Sequence, residues 1–134
     1  MIGLLIVTHS NLGREIINAA EFIVGRVEAT DTVSITETTD SEGIHNKIQK
    51  KVEDLDSGQG VLILTDMFGG TPSNISLSFL KEGQVEVLTG VNLPMVLSIA
   101  RNRSGQTLNE VAKTAEEAGK MSISLASKLL MDSG

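Results

Sequence analysis

Two stretches of this chain carry almost no polar residue: Ile2-Gly3-Leu4-Leu5-Ile6-Val7 near its start and Val61-Leu62-Ile63-Leu64 near its middle. A strand with one wet face alternates, whereas a strand covered on both faces is apolar throughout, so both stretches predict interior strands of a parallel sheet. Thr32-Val33-Ser34-Ile35-Thr36 is short, alternating and β-branched, which predicts a half-exposed strand near an edge. Val85-Glu86-Val87-Leu88-Thr89 predicts a fourth strand.

Between these strands the period changes to that of a helix. Leu12, Ile16, Ala19 or Ala20, Ile23 and Val24 share one face, with Ser10 or Asn11 able to cap the start and Gly25 the end. Ile44, Ile48, Val52 and Leu55 recur among Lys, Glu and Gln, after Asp40 or Ser41 as a cap. Thr71-Pro72 predicts a third helix with Thr as N-cap and Pro at its first position, running to about Leu80. A further helix is expected from near Pro94 to Ala100, and Thr107-Leu108-Asn109-Glu110 is a capping box opening another through Ala118. Met121 to Leu125 alternates, but Ile123, Ala126, Leu129 and Leu130 also fit a helical face, and Ala126, Lys128 and Leu129 favour the helix. Strands alternating with helices predict right-handed crossovers and an α/β fold. The expectation is one domain over residues 1–134, a three-layer sandwich with a mainly parallel four-stranded sheet and helices on both faces.

A chain of 134 residues suits one core. It has no cysteine, which removes disulfides and thiol chemistry, and its net charge of −6 argues against nucleic-acid binding driven by phosphate neutralisation. No leader pattern and no apolar run of about 18 residues is present, so a cytoplasmic protein is the default expectation. Aromatic residues are three Phe, and Phe68 falls in a loop.

The candidate chemistry lies at strand ends, where open α/β sheets bind ligands. His9 follows the first strand, Asp66 follows the central one, and Gly90-Val91-Asn92 follows the fourth, so parallel strands bring all three to one side. A carboxylate accepting Nδ1–H fixes the tautomer of an imidazole and leaves Nε2 free as a nucleophile. A phosphoryl group on that nitrogen needs backbone N–H groups close by, and helices starting at Ser10-Asn11 and Thr71-Pro72-Ser73 can supply them. Gly69 and Gly70 allow close approach of the backbone, and the Thr71 hydroxyl can donate to a phosphoryl oxygen. Each residue also has a plainer reading: His9 as a hydrogen-bonded structural residue, Asp66 and Gly69-Gly70-Thr71-Pro72 as turn and cap, Phe68 as a cover on the sheet end. His45 reads as a surface residue on the flank of the second helix, and Arg14 lines a docking rim or is solvated.

Three segments taken together carry a resemblance. Val7-Thr8-His9-Ser10, Leu64-Thr65-Asp66-Met67-Phe68-Gly69-Gly70-Thr71-Pro72-Ser73-Asn74 and Gly90-Val91-Asn92-Leu93-Pro94-Met95 resemble the signature segments of the mannose-type (mannose/fructose/sorbose) enzyme IIA of the bacterial phosphoenolpyruvate-dependent sugar phosphotransferase system, in order and at similar separations, over residues 1 to about 100. The resemblance implies a phosphoryl carrier: His9 phosphorylated at Nε2 by the histidine-containing phosphocarrier protein, Asp66 orienting it, and a IIB protein as acceptor. It places Ser10, Phe68, Gly69, Gly70 and Thr71 around the phosphate, Phe68 and Thr71 standing where the family more often has Trp and Ser. It implies no metal or cofactor, a homodimer formed partly through C-terminal segments, and peripheral association with a membrane permease. With no Ala/Pro-rich linker or IIB domain after Leu130, the chain resembles a free-standing IIA unit. Competing readings are a regulatory phosphohistidine protein, the phosphotransfer subunit of a dihydroxyacetone kinase system, and a signalling receiver domain. The last lacks the acidic metal ligands it would need after the first strand, where no carboxylate occurs until Glu15.

Overall fold

A computed structural model describes residues 1–38 and 40–133, the last two as backbone only. The elements follow in the order β1 (Gly3–His9), α1 (Leu12–Val24), β2 (Thr30–Ile35), α2 (Ser41–Leu55), β3 (Val61–Thr65), α3 (Thr71–Leu77), β4 (Val85–Thr89), α4 (Leu93–Asn102), α5 (Leu108–Met121) and α6 (Ala126–Ser133). The four strands form one parallel sheet in the order β2-β1-β3-β4. The predicted α/β architecture is therefore the observed one, with β1 and β3 in the interior and β2 on an edge.

The continuous apolar runs are explained by what covers each face. Leu4, Ile6, Leu62 and Leu64 point into a core shared with Ile17 and Ala20 of α1, Met95, Val96 and Ile99 of α4, and Val111 and Ala115 of α5. The alternate residues Leu5, Val7, Val61 and Ile63 join Val33, Ile35, Ile44 and Ile48, with Ile75 and Phe79 packed against them, so α2 and α3 cover the opposite face. Leu5, Ile6, Leu62, Ile63 and Leu64 are wholly buried, and truncating one of them to Ala would cost about 2–5 kcal/mol.

Local chemistry departs from the sequence expectation at several helix ends. Asn11 occupies the N-cap of α1, but neither it nor Ser10 caps with its side chain. The buried hydroxyl of Thr8 accepts the Gly13 N–H instead, at 2.9 Å. It can do so because α1 lies so close to β1 that a Cβ on Gly13 would stand 3.0 Å from Ile6 Cγ2. Asp40 caps α2 through the Gly43 N–H and Thr107-Glu110 forms the expected capping box. Helix α3 stops at Leu77 rather than Leu80, its end tightening into three-residue turns that bind Ser78, Phe79 and Leu80 to Ile75, Ser76 and Leu77. The alternating stretch ending at Leu125 is not a strand: it links α5 to α6, and the helical reading holds from Ala126 onward.

The connection pattern positions the site. From β1 the chain moves by α1 to β2, returns by α2 to β3, and leaves by α3 to β4, so the direction of travel reverses between β1 and β3. In open sheets that reversal opens a crevice beyond the carboxyl ends of the two strands, because the flanking helices depart on opposite faces. His9 ends β1 and Asp66 follows β3 at this crevice.

Candidate functional site

Residue parity along β1 decides where the imidazole goes. Leu5 and Val7 face the layer of α2 and α3, so His9 projects on that side, while Thr8 between them turns into the α1 side. The chain then leaves the strand through Ser10 at φ +51°, a left-handed conformation held by the Ser10 N–H bond to the Ile35 carbonyl and by Thr8 Oγ1 donating to the Ser10 carbonyl. A non-glycine residue in that region carries strain that the surrounding bonds must offset, and it falls beside the candidate functional residue.

Asp66 sits one residue past the end of β3 and reaches back to β1. Its Oδ2 accepts both the His9 peptide N–H at 2.9 Å and the ring Nδ1–H at 2.8 Å, while Oδ1 accepts the Met67 N–H at 3.0 Å. An ionised carboxylate only accepts, so the neutral ring carries its proton on Nδ1 and presents the Nε2 lone pair outward. The Asp66 side chain is 12% exposed and the His9 side chain 50%, so the orienting group is shielded while the ring is open to a visitor. Burial pushes the Asp66 carboxyl up, but the His9 peptide N–H and ring outweigh it and hold the group below the usual carboxylate range. Two residues 57 positions apart are thus joined by two hydrogen bonds on one oxygen.

The third wall is the start of α3. Gly70, not Thr71, is its N-cap, and Thr71 and Pro72 are the first two helical residues. The reason is steric: a Cβ on Gly70 would lie 2.9 Å from His9 Cε1 and 3.5 Å from Nε2, so only glycine lets the helix begin against the edge of the ring. Thr71 and Ser73 leave their N–H groups without helical partners at this end, Pro72 having none. Gly69 has a different task, since nothing lies near it and its φ of +88° turns the loop, braced by Asn74 Nδ2 donating to its carbonyl. Replacing Gly70 by Ala is expected to displace the ring from its groove with the melting temperature little changed, as read from the His9 ring proton shifts beside a thermal scan.

The remaining residues singled out from sequence lie as follows. Phe68 and Met67 are exposed at 73% and 56% on the loop between β3 and α3, and Phe68 does not cover the sheet end. Thr71 is exposed, and among the described residues its hydroxyl makes no hydrogen bond. The segment Gly90-Val91-Asn92 reaches the same end of the sheet, with Val91 N–H bound to the Thr65 carbonyl, but Asn92 does not turn toward His9: it caps Met95 and donates to the Gly119 carbonyl, tying α4 to α5. Arg14 pairs at 3.4 Å with Asp31, which Lys51 also contacts at 2.7 Å. His45 stacks on Phe79 with ring centroids 4.5 Å apart, a contact between α2 and the turn that follows α3. Thr8 belongs to the site as well, and a threonine a few residues before a helix is a recognisable capping signal. Among the described residues no group of three or more His, Asp or Glu side chains could hold a metal ion.

Known proteins resemble this chain in sequence and in fold. The family model described as "PTS system fructose IIA component" (EIIA-man), for the phosphotransferase system, matches residues 3–116. The sorbose-specific EIIA component of that system from Lacticaseibacillus casei is 29% identical over 130 residues, 94% of this chain and 92% of its own length. The mannose-specific EIIAB component of Escherichia coli K12 is 27% identical over 121 residues, which are 89% of this chain but only 38% of that longer relative. The crystal structure of the phosphotransferase component EIIA from Streptococcus agalactiae superposes with a TM-score of 0.87 at 25% identity, over 96% of this chain and 99% of the other.

Proposed function

Since this chain belongs to the EIIA-man family of IIA components of the phosphotransferase system, whose members are phosphotransferases, we propose that His9 is the residue that carries the phosphoryl group and Asp66 the one that orients it. The observation that carries the reading is the half-exposed imidazole held at 2.8 Å by a shielded carboxylate.

The step follows from the tautomer. The His9 Nε2 lone pair attacks the phosphorus of a phosphohistidine on the donor, the histidine-containing phosphocarrier protein, and the bond from phosphorus to the donor nitrogen breaks with its electron pair staying on the leaving imidazole. The acceptor ring becomes cationic while Nδ1 keeps its proton, and the Asp66 carboxylate faces that charge, which stabilises the phosphorylated ring. The phosphoryl oxygens then meet the Thr71 and Ser73 N–H groups at the start of α3, with the Thr71 and Ser10 hydroxyls as further donors. Exposed Met67, Phe68 and Leu12 give a docking protein apolar surface near the ring. A IIB protein takes the phosphoryl group by the reverse geometry, for delivery to a sugar at a membrane permease. Phosphorus moves between imidazole nitrogens and the step calls on no cofactor. No helix among the described residues is long and apolar enough to cross a membrane, which fits a carrier that meets the permease through protein partners in the cytoplasm.

The test is transfer of label from phosphoenolpyruvate through enzyme I and the phosphocarrier, with the modified atom mapped, then a chase with a IIB protein. Acid-labile label on His9 that leaves on addition of IIB is the expected result. Label at another residue would overturn the reading.

The same family membership and one further observation support a homodimer. Met121, Ile123, Leu125, Leu130 and Met131 are each more than two-thirds exposed at the C-terminal end, and among the described residues β4 is the last strand of the sheet, its outer side meeting only the single bridge from Lys81 to Val85. So dense an apolar patch on a free surface is a mark of burial against a partner, and the alternation of residues 121–125 suits addition to an open strand edge. Sedimentation equilibrium is expected to give twice the chain mass, and Ile123→Asp with Leu125→Asp to give the monomer with phosphorylation of His9 retained.

A further inference from the structure

At the opposite pole of the sheet lies a cleft of about 280 Å³ that the phosphotransfer reading does not use. Three of the chain's four arginines, Arg26, Arg101 and Arg103, line it, in a protein whose net charge is −6. Here Arg26 and Arg101 are exposed and, among the described residues, have no ion pair or side-chain hydrogen bond, whereas Arg14, the remaining arginine, is paired.

Arg103 forms the floor. It is 4% exposed, and its guanidinium donates to the carbonyls of Ile2, Ala29 and Glu28, stapling the beginnings of β1 and β2 to the end of α4. Its Nε–H is buried with no partner. Burial pushes this guanidinium below its ordinary range, the nearby Glu28 carboxylate acting the other way. A buried cation with an unsatisfied donor, flanked by two unpaired guanidinium groups, is a setting in which an incoming anion gains charge-assisted hydrogen bonds while removing repulsion. Arginine forks match the planar oxygen pairs of a phosphate better than lysine does, and the cleft is sized for a small molecule rather than a macromolecular surface.

We propose that this cleft binds a small phosphorylated metabolite, with Arg26 and Arg101 as its recognition groups and Arg103 as the fixed charge beneath them. Glu28 also lines the cleft and opposes the anion, so it sets the affinity low and selects for ligands with more than one negative charge. The site is a strand's length from His9, since β1 runs from Gly3 beside it to His9 at the far end, about 20 Å. It stands or falls separately from the role of His9.

Amide chemical shifts of the full chain, titrated at constant ionic strength with inorganic phosphate, a hexose 6-phosphate and a dicarboxylate, provide the test. The expected result is saturable shifts at Val27, Glu28 and Arg101 with the phosphates, at a dissociation constant on the order of 1 mM or below. Arg26→Gln with Arg101→Gln should weaken binding at least about tenfold, and Glu28→Gln should tighten it severalfold, while His9 labelling by the phosphocarrier stays unchanged in both. Shifts confined to Ser10, Gly70 and Thr71, equal binding of the dicarboxylate, or no saturation by about 20 mM phosphate would each overturn the assignment.

Discussion

His9→Ala is expected to lower phosphoryl acceptance by a factor of about 10⁴ or more, because it removes the imidazole nitrogen proposed to form the bond, and no positioning by neighbouring groups replaces a missing nucleophile. The fold should survive. The ring is half exposed, and in the variant Asp66 Oδ2 keeps the peptide N–H of residue 9, so the carboxylate is not left unpaired. Incorporation of label into the folded variant, with circular dichroism and a thermal scan as controls, decides the matter. Acid-labile histidine label surviving in the variant would have to reside on His45, which stacks on Phe79 and has no carboxylate partner among the described residues.

Asp66→Asn carries the second-largest expected effect, a fall of about 10²–10⁴ in transfer rate with the acceptor atom still present. The amide group is nearly the same shape as the carboxylate, but it has an NH2 donor and loses the charge that faces the phosphorylated ring. When the amide nitrogen turns toward Nδ1, the ring proton moves to Nε2 and blocks the nucleophile. The pH dependence of stability separates this electrostatic role from a steric one. The Asp66 carboxyl titrates below its ordinary range in the fold, so the folded state favours its ionised form. Its contribution is present in full above the unfolded value of about 3.9 and disappears as pH falls through the lower folded value. The melting temperature of the native chain should therefore exceed that of the Asn variant at neutral pH and converge toward it below about pH 4. A constant gap through that range would show that the carboxylate charge is not what His9 holds.

Much of the site was readable in one dimension because its residues sit at positions that strand ends impose. An apolar run must stop where the sheet meets water; one buried threonine follows each run, and His9 and Asp66 are the first ionisable residues beyond it. Alternation of apolar runs with helical periods implied parallel strands, and parallel strands put both residues on one side. The helix ends were less legible. Ser10, Asn11 and Thr71 all have good capping side chains, yet the caps are made by Thr8 and by the glycine at position 70. Capping propensity describes an isolated helix, whereas here the closeness of α1 to β1 and of α3 to the His9 ring decides which group can reach the free N–H. The arginine cleft was invisible because Arg26 and Arg101 are separated by most of the chain and meet only when α4 packs beside the end of α1.

What the chain determined by itself was its layer architecture, the two interior strands, and the chemical types available at their ends, since these follow from periodicity and local sterics. Which of those residues touch was decided by the tertiary structure. The reversal between β1 and β3 brings Asp66 to His9, residue parity in β1 sends the ring toward α3, and Gly70 lets that helix begin against it. Distances of this kind depend on register and crossover direction, which are set by the summed packing of two cores rather than by any segment alone.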